Sequence, residues 1–226
     1  LITTALPEVT VVNERDNRGF AGGCNRAVAR ARGEYLLFLN PDVYLDEGTM
    51  GALVSELRRR PDAGAVVGRM RDPSGAFQPT CRQLPTRANI FLSRGSVLSR
   101  AFGSMGYTLP DFPTVTAVPA AAATCWLMPR TLFEDVGGFD ERFFMFMEDT
   151  DLSLRIALAG KKIYFVPHAG AEHAWGAGAS ATEQQRVRWH SQSVLAYYQK
   201  RFPGLYSRLV LPLALKLNQA LRRALG

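Results

Sequence analysis

Tyr35-Leu36-Leu37-Phe38-Leu39-Asn40-Pro41-Asp42-Val43 sets an uninterrupted apolar run directly against a polar turn that ends in a carboxylate. A run of this length reads as a strand buried on both faces, the kind found in the middle of an α/β sheet. Pro41 fixes the backbone after the strand, so that Asp42 turns back toward the strand's carboxyl end. Taken alone, Asn-Pro-Asp is also an ordinary turn leading into a helix.

Working outward, short β-rich runs alternate with helical patterns. Val9–Val12 reads as a strand, residues 23–31 as a helix, residues 49–60 as a second helix, and residues 65–67 as a further strand. This βαβαβ order argues for a parallel sheet covered on both faces, and ligands of such sheets sit at the carboxyl ends of the strands. Residues 72–115 read as a loop-rich excursion with one helix near 89–99. Order returns with a strand at 124–128, a short helix at 130–136 and a Gly137-Gly138 turn. An aromatic strand at 143–147, a helix at 150–159 and a strand at 162–166 follow. Two last helices, 182–201 and 205–225, are divided at Pro203-Gly204, and Pro212 is expected to kink the second.

Composition bounds the function. Of the 226 residues, 47% are hydrophobic and 21% charged, which is the balance of an ordinary globular protein. Cys24, Cys81 and Cys125 are odd in number and show no CxxC spacing, so neither a disulfide framework nor a thiolate zinc site is expected, and a cytoplasmic setting fits. The net charge of +7 lies entirely beyond residue 186, where Arg188, Lys200, Arg201, Arg208, Lys216, Arg222 and Arg223 meet no acid. Because these cations alternate with Leu, Val and Ala, anionic lipid is a better partner for the tail than nucleic acid, and no nucleic-acid partner is expected. Leu205, Leu209, Leu213, Leu217 and Leu221 recur every four residues and form one apolar stripe. The chain is read as residues 1–186, a catalytic domain incomplete at its amino end, followed by 187–226, a basic amphipathic helical tail.

Three further segments can carry chemistry. Asp140, Glu141, Glu148, Asp149 and Asp151 crowd five acids into twelve residues around the aromatic run. A single Asp at a helix start reads as a cap, but one helix needs one or two acids, and a carboxylate in a partly apolar mouth can serve as a general base. His173 follows the 162–166 strand in a loop rich in small residues; imidazole suits Mn²⁺ better than Mg²⁺, though a lone His is also commonly structural. His168 and His190 have no acidic motif beside them and are read as structural. Asn17-Arg18-Gly19-Phe20-Ala21-Gly22-Gly23-Cys24-Asn25 puts glycines before a helix, as phosphate-binding loops do, but without the G-x-G-x-x-G spacing of a dinucleotide fold.

In this order the Asn17–Asn25 loop, the Tyr35–Val43 strand and turn, the Gly137–Arg155 acidic segment and the His173 loop resemble the family-2 glycosyltransferases, especially their rhamnosyltransferase-like branch. The resemblance implies an α/β, GT-A-type, Rossmann-like mixed sheet flanked by helices, with C-terminal helices and with the family's first strand missing. It implies an inverting transferase that moves a sugar, rhamnose in that branch, from a UDP- or dTDP-linked donor to a hydroxyl of a cell-surface polysaccharide or lipid-linked acceptor. By the same resemblance Asp149 is the catalytic base with Glu148 as its neighbour, and Asp42 and His173 hold Mn²⁺ or Mg²⁺. Asn17, Gly19, Asn25, Asn40 and Asp42 face the donor, and Arg155 orients or neutralises the acids. The enzyme would work in the cytoplasm, at the inner face of the plasma membrane, touching it through the tail. The competing expectations are a truncated, non-catalytic binding module and a nicotinamide-dependent enzyme, the latter discouraged by the glycine spacing.

Overall fold

The computed structural model describes residues 7–89, 107–174 and 181–225. Nine strands form in these segments: β1 (Tyr35–Leu39), β2 (Val43–Leu45), β3 (Ala63–Arg71), β4 (Phe77–Gln78), β5 (Cys81–Arg82), β6 (Thr116–Val118), β7 (Ala120–Ala121), β8 (Cys125–Pro129) and β9 (Lys162–His173). The helices are α1 (Gly19–Val28), α2 (Thr49–Arg59), α3 (Arg130–Asp135), α4 (Glu148–Leu158), α5 (Glu183–Arg201) and α6 (Leu211–Leu225), with a π-helical turn at Tyr206–Val210. The helix expected near 89–99 lies, beyond Asn89, outside the described residues, as does the small-residue loop 175–180.

The main sheet runs β1-β8-β3-β9-β2, with β4 added to β3 and β6 to β9, while β5 and β7 pair separately. It is mixed rather than parallel. β8 slots between β1 and β3 and is antiparallel to both, whereas β3 and β9 are parallel. Alternation along β1 sends Leu36 and Phe38 to one face and Tyr35 and Leu37 to the other. On the first face they meet Ala21 and Val28 of α1, Phe133 of α3, and Leu152 and Ile156 of α4. On the second face Leu53 and Leu57 of α2 cover Val66, Leu127 and Val166. β1 is thus covered on both faces, but it ends the sheet's strand order instead of standing at its centre as expected, so Tyr35 and Leu37 are only half-buried and Leu39 is exposed.

Three expected strands change. Residues 9–12 form no strand; no described strand offers them a ladder, and Val9 and Val11 are each 44% exposed. An extended segment without a neighbour to accept its backbone hydrogen bonds has no reason to hold strand geometry. The aromatic run 143–147 is a bend instead of a strand, with Phe146 and Met147 both at positive φ (71° and 68°). Two successive left-handed residues cannot continue a pleated strand. Finally, the last strand does not stop at Val166. Pro167, which has no N–H to give, starts an irregularity in which Gly68 faces Val166 but Arg69 faces Gly170, and pairing then resumes through His173.

The helix after the glycine loop starts at Gly19, earlier than expected. Gly19 has φ +70°, and a Cβ there would lie 1.8 Å from the Phe144 carbonyl oxygen. That contact lets the Phe20 amide donate to the same carbonyl at 2.9 Å and ties α1 to the aromatic bend. Pro212 falls in the first turn of α6, where a missing N–H costs little, and the π-helical turn precedes it. Thr182 caps α5 with a capping box closed by Gln185. Cys24, Cys81 and Cys125 are unpaired. Among the described residues no helix is long and apolar enough to cross a membrane.

The tail helices are rooted on the acidic segment. Val194, Tyr197 and Tyr198 of α5 and Leu211 bury against Phe143 and Met147. Lys200 and Arg201 reach the fully buried Asp151 at 2.7 and 2.8 Å, and Arg155 completes its shell at 2.8 Å. Burial would raise the Asp151 carboxyl, but hydrogen bonds from Lys200 and Arg155 outweigh it and hold the group below the usual carboxylate range. Its stabilisation is therefore present above the unfolded carboxylate pKa and is lost as pH falls through the lower folded value. Asp151→Asn should lower unfolding free energy by about 3 kcal/mol, because it leaves buried cations uncompensated. Urea titrations at neutral pH measure the loss, and titrations repeated toward acid should show a smaller pH dependence in the mutant.

Candidate functional site

Asp42 follows β1, and β2 begins at the next residue. Because Val43 pairs opposite His173 in the β2–β9 ladder, the Asp42 carboxylate and the His173 ring meet, with Oδ1 and Nε2 3.3 Å apart. The Ala174 amide also donates to the Asp42 carbonyl at 3.0 Å. Gln78 Oε1 lies 2.6 Å from His173 Nδ1. An amide oxygen only accepts, so Nδ1 donates to Gln78 and Nε2 is the ring nitrogen on the Asp42 side. A carboxylate oxygen and a ring nitrogen side by side, with the ring oriented from behind by Gln78, are residue types that suit a divalent cation once Nε2 is unprotonated. Among the described residues, no group of three or more His, Cys, Asp or Glu side chains gathers as a cage.

The acids of residues 140–151 do different jobs. Met147 occupies the cap position of α4, so neither Glu148 nor Asp149 is its cap. Asp140 binds Arg142 and Lys200, and Asp151 binds Arg155, Lys200 and Arg201, so both serve packing. The Arg155 contact agrees with its expected neutralising role. Glu141 accepts from the Asn25 amide at 3.1 Å. What remains is the pair at the helix start. Asp149 forms an ion pair with Arg82 and accepts from the Thr150 amide at 2.6 Å. Glu148 is buried, its Oε2 has no hydrogen-bond partner among the described residues, and burial, seconded by the Asp149 charge, pushes its carboxyl up to about 8. Adjacent carboxyls thus sit in unlike surroundings, Asp149 ion-paired with Arg82 and Glu148 buried with its proton affinity raised, a pattern typical of functional sites. The left-handed pair Phe146-Met147 immediately before them is the kind of backbone strain that collects at such sites.

Gln78 and Arg82 were not singled out in the sequence. They stand four residues apart on the β4–β5 segment, one against His173 and the other against Asp149. A chain of that length spans at most about 14 Å, so the two clusters belong to one region. No motif marks either residue; their roles arise from pairing, with β4 held on β3 and β5 on β7.

The glycine loop is largely occupied with structure. Asn17 Oδ1 accepts from the Gly19 amide at 2.9 Å. Asn25 donates to the Phe139 carbonyl at 2.8 Å and accepts from the Phe139 amide at 3.0 Å, joining α1 to the Gly137-Gly138 turn. Asn40 accepts from the Val43 amide and donates its own amide to Thr124, forming the turn that aims Asp42. His168 sits 3.6 Å from Glu56, and His190 packs against Phe146, away from the Asp42–His173 pair.

Comparison with known proteins assigns the chain. It is 30% identical over 212 residues to N-acetylglucosaminyl-diphospho-decaprenol L-rhamnosyltransferase of Mycobacterium tuberculosis, covering 88% of the chain and 69% of that enzyme. It is 26% identical over 193 residues to rhamnosyltransferase WbbL of Escherichia coli, covering 81% and 71%. The fold is similar to that of GalNAc-T7 solved with UDP, GalNAc and Mn²⁺, with a TM-score of 0.57 at 14% identity over 88% of the chain and 40% of the solved one. It is also similar to the mannosyltransferase PcManGT from Pyrobaculum calidifontis with GDP-Man and Mn²⁺, with a TM-score of 0.54 at 19% identity over 96% and 58%. The chain thus spans less than two thirds of either solved structure, and the shared fold is the GT-A mixed α/β sheet. With the family model described as glycosyl transferase family 2 matching residues 2–137, the chain belongs to that family, alongside rhamnosyltransferases.

Proposed function

We propose that the chain performs inverting transfer of a sugar, rhamnose by the names of its relatives, from a UDP- or dTDP-linked donor to a hydroxyl of a lipid-linked or cell-surface polysaccharide acceptor. The observation that carries this reading is the joining of two unlike clusters by the β4–β5 segment: Asp42 with His173 on one side, Asp149 with Arg82 on the other. Transfer with inversion needs a proton acceptor on one side of the sugar and a cation near the leaving diphosphate on the other. Asp149, ion-paired with Arg82, takes the acceptor's proton; the buried Glu148, its proton affinity raised, is its neighbour at the same helix start. Asp42 and His173 would hold Mn²⁺ or Mg²⁺, which would supply charge for the departing diphosphate. Asn17, Gly19, Asn25 and Asn40 shape the loops that face the donor. Residues 1–186 form the catalytic part and 187–226 the tail.

The tail reading adds location. Leu205, Leu209, Leu213, Leu217 and Leu221 are exposed, with Leu205 at 74% and Leu213 at 67%, while Tyr206, Leu211 and Leu215 pack inward. The stripe therefore does not cover the body of the described chain. An exposed leucine row on a helix with cations and no acids suits an anionic membrane surface, with the enzyme at the cytoplasmic face of the plasma membrane.

Asp149→Asn should reduce transfer by roughly 10²-fold or more while leaving Mn²⁺-dependent nucleoside diphosphate binding in place, as expected for loss of a general base. Steady-state rates beside fluorescence titrations with UDP and dTDP check it; near-normal turnover would remove Asp149 from the reaction. Asp42→Ala should instead weaken Mn²⁺-dependent nucleotide binding, and His173→Ala should move the preferred cation from Mn²⁺ toward Mg²⁺. Unchanged metal titrations in both variants would refute the pair as ligands. Vesicle co-sedimentation tests the tail: binding should require anionic lipid, weaken with salt and vanish on deletion of residues 205–226. Equal sedimentation with and without that segment would disprove the membrane contact.

A further inference from the structure

The Asp149 carboxylate is held asymmetrically. Arg82 Nη2, the Thr150 amide at 2.6 Å and the Thr150 hydroxyl at 3.1 Å all donate to Oδ1. Among the described residues no donor reaches Oδ2. Thr150 Oγ1 in turn accepts from Arg82 Nη2 at 2.8 Å and Nε at 3.2 Å, so guanidinium and hydroxyl form one relay ending on a single oxygen. Thr150 is fully buried and the Asp149 side chain nearly so.

Arg82 cannot easily move. It ends β5, pairs with Ala120 in the small second sheet and bridges to Thr108, and the next residue, Gln83, donates its amide to Tyr107. Burial opposes its charge, but the neighbouring Asp149 carboxylate more than offsets this and keeps the guanidinium cationic. The other titratable groups facing the pair are Glu148, on the same helix start, Tyr107, at the start of the segment 107–174, and Tyr197 of α5; burial raises all three.

We propose that Arg82 is a positioning residue for the transfer reaction, clamping Asp149 through Oδ1 so that Oδ2 is the atom presented to the acceptor hydroxyl. This rests on the reading of Asp149 as the base. In the step so arranged, the acceptor O–H bond breaks and its proton passes to Oδ2. The acceptor oxygen forms the new bond to the anomeric carbon, and the bond from that carbon to the diphosphate oxygen breaks, with its electron pair leaving on the diphosphate. A two-point clamp restricts carboxylate rotation, which holds the reacting atoms in line.

The test uses the full chain with Arg82→Gln, Arg82→Lys and Asp149→Asn. The Asp149 carboxyl is titrated by ¹³C NMR, its signal assigned by loss in Asp149→Asn, and transfer is measured with dTDP-linked rhamnose, Mn²⁺ and a prenyl-diphospho-N-acetylglucosamine acceptor. Arg82→Gln should raise the Asp149 titration by about one pH unit or more. It should also move the acid limb of the kcat/KM profile up in parallel and lower kcat more than it raises KM. Arg82→Lys should restore the titration, since the charge returns, but recover kcat only in part, since one ammonium cannot hold both Asp149 and Thr150. An Asp149 titration unmoved in folded Arg82→Gln would overturn the inference even if Asp149→Asn is inactive. Full activity in Asp149→Asn would instead overturn the base assignment, while the titration still judges the clamp. If Arg82→Gln does not fold, Thr150→Val replaces it: the relay hydroxyl is lost, the Asp149 titration should rise by a smaller amount, and no rise refutes the clamp.

Discussion

Strand β9 is the constraint on which the rest depends. It pairs in parallel with β3 along its length and antiparallel with β2 at its end, and the irregularity after Pro167 sets the register in between. Since side chains alternate along a strand, a slip of one residue would turn His173 to the opposite face and separate it from Asp42. The same strand carries Gly170, whose carbonyl accepts from the Thr49 hydroxyl at 2.6 Å and from the Asp46 amide. A Cβ at Gly170 would lie 2.3 Å from Asp46 Oδ2, so the loop after β2 and the start of α2 both rest on this bare backbone. One register therefore aligns the metal-facing pair and the helix that covers the sheet's second face.

The acidic segment shows how one patch of sequence divides its charges by environment. Asp140 and Asp151 are saturated by Lys200, Arg201, Arg142 and Arg155, which roots the tail on the body. Asp149 is ion-paired with a cation from the other side of the fold, whereas among the described residues Glu148 forms no ion pair and its Oε2 has no hydrogen-bond partner. Buried carboxyls with and without a counter-charge separate in their affinity for protons. The bend at Phe146-Met147 makes this possible, because it ends the aromatic run and starts α4 with Glu148 already turned inward. Tail helix, aromatic bend and acid pair consequently form one packed unit, with Phe143 and Met147 sharing a cluster with Tyr197 and Tyr198.

Much of this was legible in the chain. The apolar run Tyr35–Leu39, the alternation of helices and strands, the Gly137-Gly138 turn and the leucine stripe all appear where local pattern places them. Local pattern works there because each element buries a face that its own spacing defines. The misses have physical causes as well. Residues 143–147 have strand-like composition, yet their left-handed bend is imposed by contacts with α1 and α5, and composition does not encode those partners. Proline at 167 correctly marks an interruption, but whether a strand resumes beyond it depends on a neighbour, here β3, being present to accept it.

By itself, then, the sequence determined the fold class, the residue types able to hold a cation or accept a proton, the basic apolar tail and the resemblance to its family. Those features are written in spacing and composition, which act over a few residues. Only the tertiary structure decided which acids serve packing and which remain for chemistry, that His173 stands on a strand end beside Asp42, and that Gln78 and Arg82 orient the two clusters. The reason is that ionisation and orientation of a buried group are set by whichever charges and donors are packed against it, and those come from segments far apart in the chain, brought together by sheet register alone.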